Sequence, residues 1–208
     1  VMIDGGMVPT REGVRGAKMG VSFRAADHIE QSPSRATVAR KRFFGDIATA
    51  EEFGPLVNAA VRSEGVAEGG EGCEVMGDGA PWIWNTKAEQ LPQANETVDW
   101  YHAKEDLSTT AKALYGEGSA KAAAWTERRA TELWVGRWNA LLGALRRTRA
   151  GHPAAQAAVT ELQRYLKQNR HRMKYAERRR QGLLVCSGPI EGGIKYAVQD
   201  RLKRKRDA

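Results

Sequence analysis

The stretch that decides the fold is Met76-Gly77-Asp78-Gly79-Ala80-Pro81-Trp82-Ile83-Trp84-Asn85. It closes an apolar run from Cys73 on a carboxylate next to glycine, and then starts again with proline at the head of a new segment. The first part reads as a short strand and the second, 81–90, as a helix with Pro in its first turn. An acid is therefore expected where a strand gives way to a helix.

Working outward, a similar pattern opens the chain. Val1-Met2-Ile3-Asp4-Gly5-Gly6 reads as an apolar strand running into a carboxylate and a glycine turn. Lys18 to Arg24 and Thr37 to Phe44 have the length and apolar content of two further strands, and an antiparallel meander fits the three. Thr49-Ala-Glu-Glu-Phe53 offers a capped helix start, with Phe53, Leu56, Val57, Ala60 and Val61 at helical spacing until Gly65. Glu96 to Tyr101 reads as a strand passing into a helix from about His102 to Tyr115. The expected order is strand, strand, strand, helix, strand, helix, strand, helix.

From 116 to 181 the periodicity is helical throughout. Trp134, Trp138, Leu141, Leu142 and Leu145 make one apolar stripe; Val159, Leu162, Tyr165 and Leu166 make another, with Gly151-His-Pro153 between them. The chain thus divides into 1–115, the first part of an α/β core; 116–181, an all-helical insertion; and 182–208, a last core segment with a final helix.

With 208 residues, 41% hydrophobic and 28% charged, the composition is that of an ordinary folded domain. No apolar run reaches the roughly 18 residues of a membrane span, and no leader precedes the first strand, so a cytoplasmic protein is expected. Cys73 and Cys186 lie far apart, outside any metal-ligand spacing, and read as reduced thiols. Charge is uneven: residues 1–100 carry 10 Lys/Arg against 15 Asp/Glu, and residues 101–208 carry 23 against 10. The basic half suits a polyanion, or else is a solvated helical surface.

Three acids stand apart from packing: Asp4, Asp78, and Glu191 in Ser187-Gly-Pro-Ile-Glu191-Gly. Singly, each has a local explanation, as a turn pair or as a helix start. Jointly, they are the donor set that phosphoryl transfer on DNA needs, where two hard cations about 3.5–4 Å apart activate the attacking oxygen and stabilise the leaving one.

The segments Met2-Ile-Asp4-Gly-Gly, Met76 to Asn85, Asp99-Trp-Tyr-His102-Ala-Lys-Glu-Asp-Leu107 and Ser187 to Gly192 resemble DDE transposases of the ISKra group of bacterial insertion sequences. The resemblance spans nearly the whole chain. It implies an RNase H-like mixed sheet flanked by helices, with an all-helical insertion before the last catalytic acid. It makes Asp4, Asp78 and Glu191 the catalytic acids and the ligands of two Mg2+ or Mn2+ ions. The Asp-x-x-His motif of related enzymes falls on Asp99 and His102, behind the metal ligands or at the DNA; the other reading is a helix cap and a surface histidine.

The expected activity is metal-dependent cleavage and strand transfer at transposon ends, with transposon-end and target DNA as partners and self-association in the active complex. Arg178, Arg179, Arg180, Lys195, Lys203 and Arg204 are the candidate phosphate contacts, or solubilising charges. Trp82, Trp84 and Trp100 either stack on frayed bases or pack in the core. Such transposases carry an end-recognising domain before the first core strand and a longer last helix, so the chain reads as a piece of a longer protein. Two alternatives remain: a non-catalytic DNA-binding remnant, and an RNase H-like nuclease that cleaves without joining.

Overall fold

A computed structural model of the chain describes residues 1–32 and 35–186. They form two compact units, Val1–Glu96 and Thr97–Cys186. The first unit is built on a mixed sheet flanked by helices, and the second is helical.

Strand β1 (Met2–Thr10) and strand β2 (Gly13–Ser22) form a long antiparallel hairpin in register from Met2↔Val21 to Thr10↔Gly13. A short antiparallel ribbon, β3 (His28–Ser32) and β4 (Arg35–Val38), precedes β5 (Arg42–Asp46), which returns antiparallel to β2 with Lys18 opposite Asp46. Helix α1 (Ala50–Ser63) follows, then β6 (Glu74–Gly77), helix α2 (Pro81–Gln90) and β7 (Asn95–Val98). The sheet order is β5-β2-β1-β6-β7, with β6 parallel to β1. The strand and helix order expected from sequence is therefore found, with the β3–β4 ribbon added.

Three strand expectations are corrected, the first being that the strand expected over Glu96 to Tyr101 ends at Val98, because Asp99 caps a helix that starts at Trp100. Asp4 does not end its strand: β1 runs on through Gly5 and Gly6 to Thr10 because nine residues of β2 pair with it. The Thr37–Phe44 segment is not one strand either, since a bend at 39–40 divides β4 from β5.

Directly opposed residues share a face of the sheet. One face carries Ile3, Gly5, Lys18, Gly20 and Phe44, and against it lie α1 and α2. The Phe44 ring stacks on Phe53 of α1 at 5.7 Å, and Phe53 meets Trp82 of α2 edge-on at 6.2 Å. Gly20 makes this possible, because a Cβ there would sit 2.3 Å from the Phe44 ring. The start of α1 is the capping box read from sequence: the Thr49 hydroxyl accepts from the Glu52 N–H at 3.3 Å, and the Thr49 N–H donates to Glu52 Oε2 at 2.8 Å. Phe53, Val57, Ala60 and Val61 are buried as expected, but Leu56 is exposed.

The second unit holds α3 (Trp100–Tyr115), α4 (Ala120–Trp134), α5 (Trp138–Arg147), α6 (Pro153–Gln168) and α7 (Tyr175–Arg180). Helix α3 packs on α4 and α6, and α5 packs on both of these. Leu107, Leu133, Leu141, Leu145, Val159 and Leu166 are fully buried between them. The stripe from Trp134 to Leu145 belongs to two helices, not one, because Gly136 at φ 77° turns the chain between α4 and α5. Trp134 and Trp138 are accordingly half-buried, each under a guanidinium: Arg179 at 4.1 Å and Arg170 at 5.5 Å from the ring centres. No helix among the described residues is long and apolar enough to cross a membrane.

Gly20→Val should displace the Phe44 ring from Phe53 and cost roughly 1–3 kcal/mol by overpacking. Denaturant unfolding of the variant against the parent protein measures it.

Candidate metal centre

The parallel pairing of β1 with β6 has Met2 beside Met76. Two residues after each of these come Asp4, within β1, and Asp78, just past the end of β6, so the register brings the two acid-bearing segments toward the same end of neighbouring strands, whose backbones run about 5 Å apart. Within β1 side chains two apart share a face, so Asp4 belongs to the face of Met2, opposite to the one covered by α1 and α2. Asp4 lies within β1 and Asp78 just beyond the end of β6, and both are half-buried.

Each carboxylate is oriented by its own backbone. Asp4 Oδ1 accepts the Gly5 N–H at 2.7 Å, and Asp78 Oδ1 accepts the Ala80 N–H at 2.7 Å. The second bond is an Asx turn that starts the chain into α2, where Ala80 is the cap and Pro81 the first helical residue. The reason for glycine after each acid differs. At Gly5 the Trp82 ring approaches within 3.3 Å of where a Cβ would be, while Gly79 at φ 103° continues the turn.

On the helix-covered face, Lys18 stands opposite Gly5, donates to the Ala48 carbonyl at 2.8 Å and lies 5.3 Å from the Trp82 ring centre. It is thus a packing cation of the far side and not a partner prescribed for the acids. Like charges on adjacent strands repel, and hard oxygen donors in such a pair suit a divalent cation that offsets the repulsion. Among the described residues, no group of three or more His, Cys, Asp or Glu is gathered to hold a metal. Glu191, the third expected acid, lies outside the described residues, as do Lys195, Lys203 and Arg204.

Asp99 and His102 belong to the helical unit. Asp99 is buried and is the N-cap of α3: its Oδ1 accepts the N–H of Tyr101 at 2.7 Å and of His102 at 3.3 Å. His102 is half-buried, with Nδ1 3.9 Å from Glu105. A cap role for Asp99 is therefore present, whatever else the pair does.

The three tryptophans expected beside the site all pack. Trp82 rests on Gly5 and Phe53, Trp84 is buried, and Trp100 meets Trp134 at a tilt, 4.6 Å between ring centres, and Tyr175 edge-on at 5.2 Å. Burial pushes the Tyr175 hydroxyl well above its ordinary pKa, and the hydroxyl donates to the Val98 carbonyl at 3.1 Å. Of the arginine triplet, Arg178 donates to the Leu184 carbonyl at 3.3 Å and Arg179 to the Trp134 carbonyl at 3.2 Å. Only Arg180 bonds solely within its own helix turn, to Ala176 at 3.2 Å, and it is exposed.

Sequence reading passed over a basic cluster in the acidic half, Arg24 with Arg40-Lys41-Arg42. The signal was the triplet itself, hidden by the negative balance around it. Comparison of the chain with family models, with curated proteins and with solved structures found no match.

Asp99→Ala should lose about 1 kcal/mol of stability with the cap, whereas Asp99→Asn, which keeps the acceptor oxygen, should lose only a few tenths. Thermal unfolding of the two variants distinguishes a capping residue from a bystander.

Proposed function

We propose that this chain is the catalytic core of a DDE-type DNA transposase of the ISKra kind, with Asp4, Asp78 and Glu191 as the acids that hold Mg2+ or Mn2+. The observation that carries the reading is the register Met2↔Met76, which sets the segments leading to Asp4 and Asp78 side by side although 73 residues separate the two acids. The sheet adds support. Counting only its five strands in chain order, the arrangement is third, second, first, fourth, fifth, with the first three antiparallel and the fourth parallel to the first. A mixed sheet flanked by helices is what the resemblance to these transposases implies for the core.

The pair fits the metal. Magnesium takes hard oxygen ligands and keeps much of its water, so one or two carboxylates per ion suffice. When bound, divalent ions polarise the scissile phosphate and favour the attacking and leaving oxygens. What the chain itself contributes is placement: the Gly5 and Ala80 N–H groups each hold one carboxylate oxygen, so that the acids need little reorganisation on binding. In the cleavage step, water attacks a phosphodiester at the transposon end, the P–O3′ bond breaks and a 3′-hydroxyl leaves. In the joining step that hydroxyl attacks a target phosphodiester, forming one P–O bond as another breaks. Glu191 would complete the ligand set from the segment beyond 186.

Asp78→Asn tests the reading without disturbing the turn, because asparagine keeps an acceptor for the Ala80 N–H. Calorimetric titration with Mn2+ should show binding to the parent protein weakened at least about tenfold in the variant, a loss of about 1.4 kcal/mol. Equal titrations would contradict a live centre and favour a DNA-binding protein without catalysis. Cleavage of duplex DNA without strand joining would instead favour a nuclease.

A further inference from the structure

The sheet unit contains a second polar site, away from the two aspartates. Beyond the last pair of the β2–β5 ladder, Ser22↔Arg42, lies a cleft of about 340 Å3 lined by Arg24, Asp27, Arg40, Lys41, Arg42 and the end of α1 at Ser63 and Glu64. Asp4 pairs with Met19, three residues before Ser22, so the cleft begins about 10 Å further along β2. Ser22 and Arg42 also alternate onto the helix-covered face, opposite to Asp4.

Four cations line this cleft against two carboxylates. Glu64 is the organiser: it accepts the Ser22 hydroxyl at 3.2 Å and stands 3.8 Å from Arg24 and 3.9 Å from Arg42. Asp27 stands 3.8 Å from Arg40. These separations exceed the 2.7–2.9 Å of a direct charge-assisted hydrogen bond, so the carboxylates position the guanidiniums without using up their donors. The arginine side chains are well exposed, at 61% for Arg24 and Arg42 and 89% for Arg40. Lys41 has no carboxylate partner among the described residues, and its ammonium lies 5.5 Å from the Phe43 ring centre. The carboxyl end of α1 opposes an anion, but the excess of full positive charges outweighs a partial one.

Three planar forks and one ammonium, held apart and exposed around a small cleft, suit a tetrahedral anion with several acceptor oxygens. We propose that this cleft binds the phosphodiester backbone of duplex DNA, as an anchoring site separate from the metal centre. The choice of DNA rests on the proposed function; the phosphate chemistry rests on the cleft alone. Such contacts carry no sequence information and fix where a duplex lies on the protein.

The test is duplex binding in EDTA, by fluorescence anisotropy of a mixed-sequence oligonucleotide across a salt series. Catalysis plays no part there, so the outcome is separable from that of the Mn2+ titration. Arg24→Ala/Arg42→Ala should weaken binding and flatten the slope of log K against log salt by about 1–2, one phosphate contact being worth about 0.9. Lys41→Glu touches no fold contact beyond the Phe43 ring and should flatten the slope by about 1, which covers the case where the double variant is unstable. Parent-like affinity and slope in Lys41→Glu and in a folded double variant would overturn the proposal. Displacement of the duplex by micromolar inorganic phosphate would overturn it too, by marking a site for free phosphate.

Discussion

The parallel contact between β1 and β6 is the constraint on which the rest depends. Hydrogen bonding between parallel strands fixes register to the residue, and a slip of one would move the end of β6, and Asp78 after it, out of step with Asp4. The register is held by close packing on that face. Gly77 has no Cβ, and one built there would fall 2.6 Å from Ile83 Cδ1 and 3.2 Å from the Ile3 carbonyl oxygen. Gly5 accepts the Trp82 ring in the same way. Helix α2 is thus pressed against the two strands close to Asp4 and Asp78.

The arrangement separates tasks between faces and between units. Phe44, Phe53, Trp82 and Ile83 pack on one face of the sheet, and the other combines buried Met2, Met19 and Val21 with the Asp4 carboxylate. In the helical unit, Trp100, Trp134 and Tyr175 form an aromatic cluster closed by Arg179, and the Tyr175 hydroxyl ties α7 back to Val98. Two members of the arginine triplet are used there to hold carbonyls, so the positive balance of the second half overstates the charge free for a polyanion.

Much of this was legible in the residues. The Thr49/Glu52 capping box, the Pro81 helix start, the α5–α6 break at Gly151 and the order of strands and helices all follow from local chemistry, which sequence carries directly. What misled was glycine. Gly5-Gly6 has the composition of a turn, yet a long antiparallel partner keeps it extended, and the need for Gly5 comes from Trp82, 77 residues away. Helical periodicity likewise ran through Gly136, because Trp134 and Trp138 hold the spacing of one helix across a break. The basic cleft was invisible because Arg24 and the Arg40–Arg42 triplet meet only through the β2–β5 pairing and the end of α1.

The central claim is that Asp4 and Asp78 share a cation. The most direct measurement is a crystal structure of the protein soaked in Mn2+, read by anomalous scattering at the manganese edge. The account predicts an anomalous peak at oxygen-ligand distance, about 2.1 Å, from a carboxylate oxygen of each residue. Peaks only elsewhere on the molecule, with the two carboxylates bound to nothing but water, would contradict it.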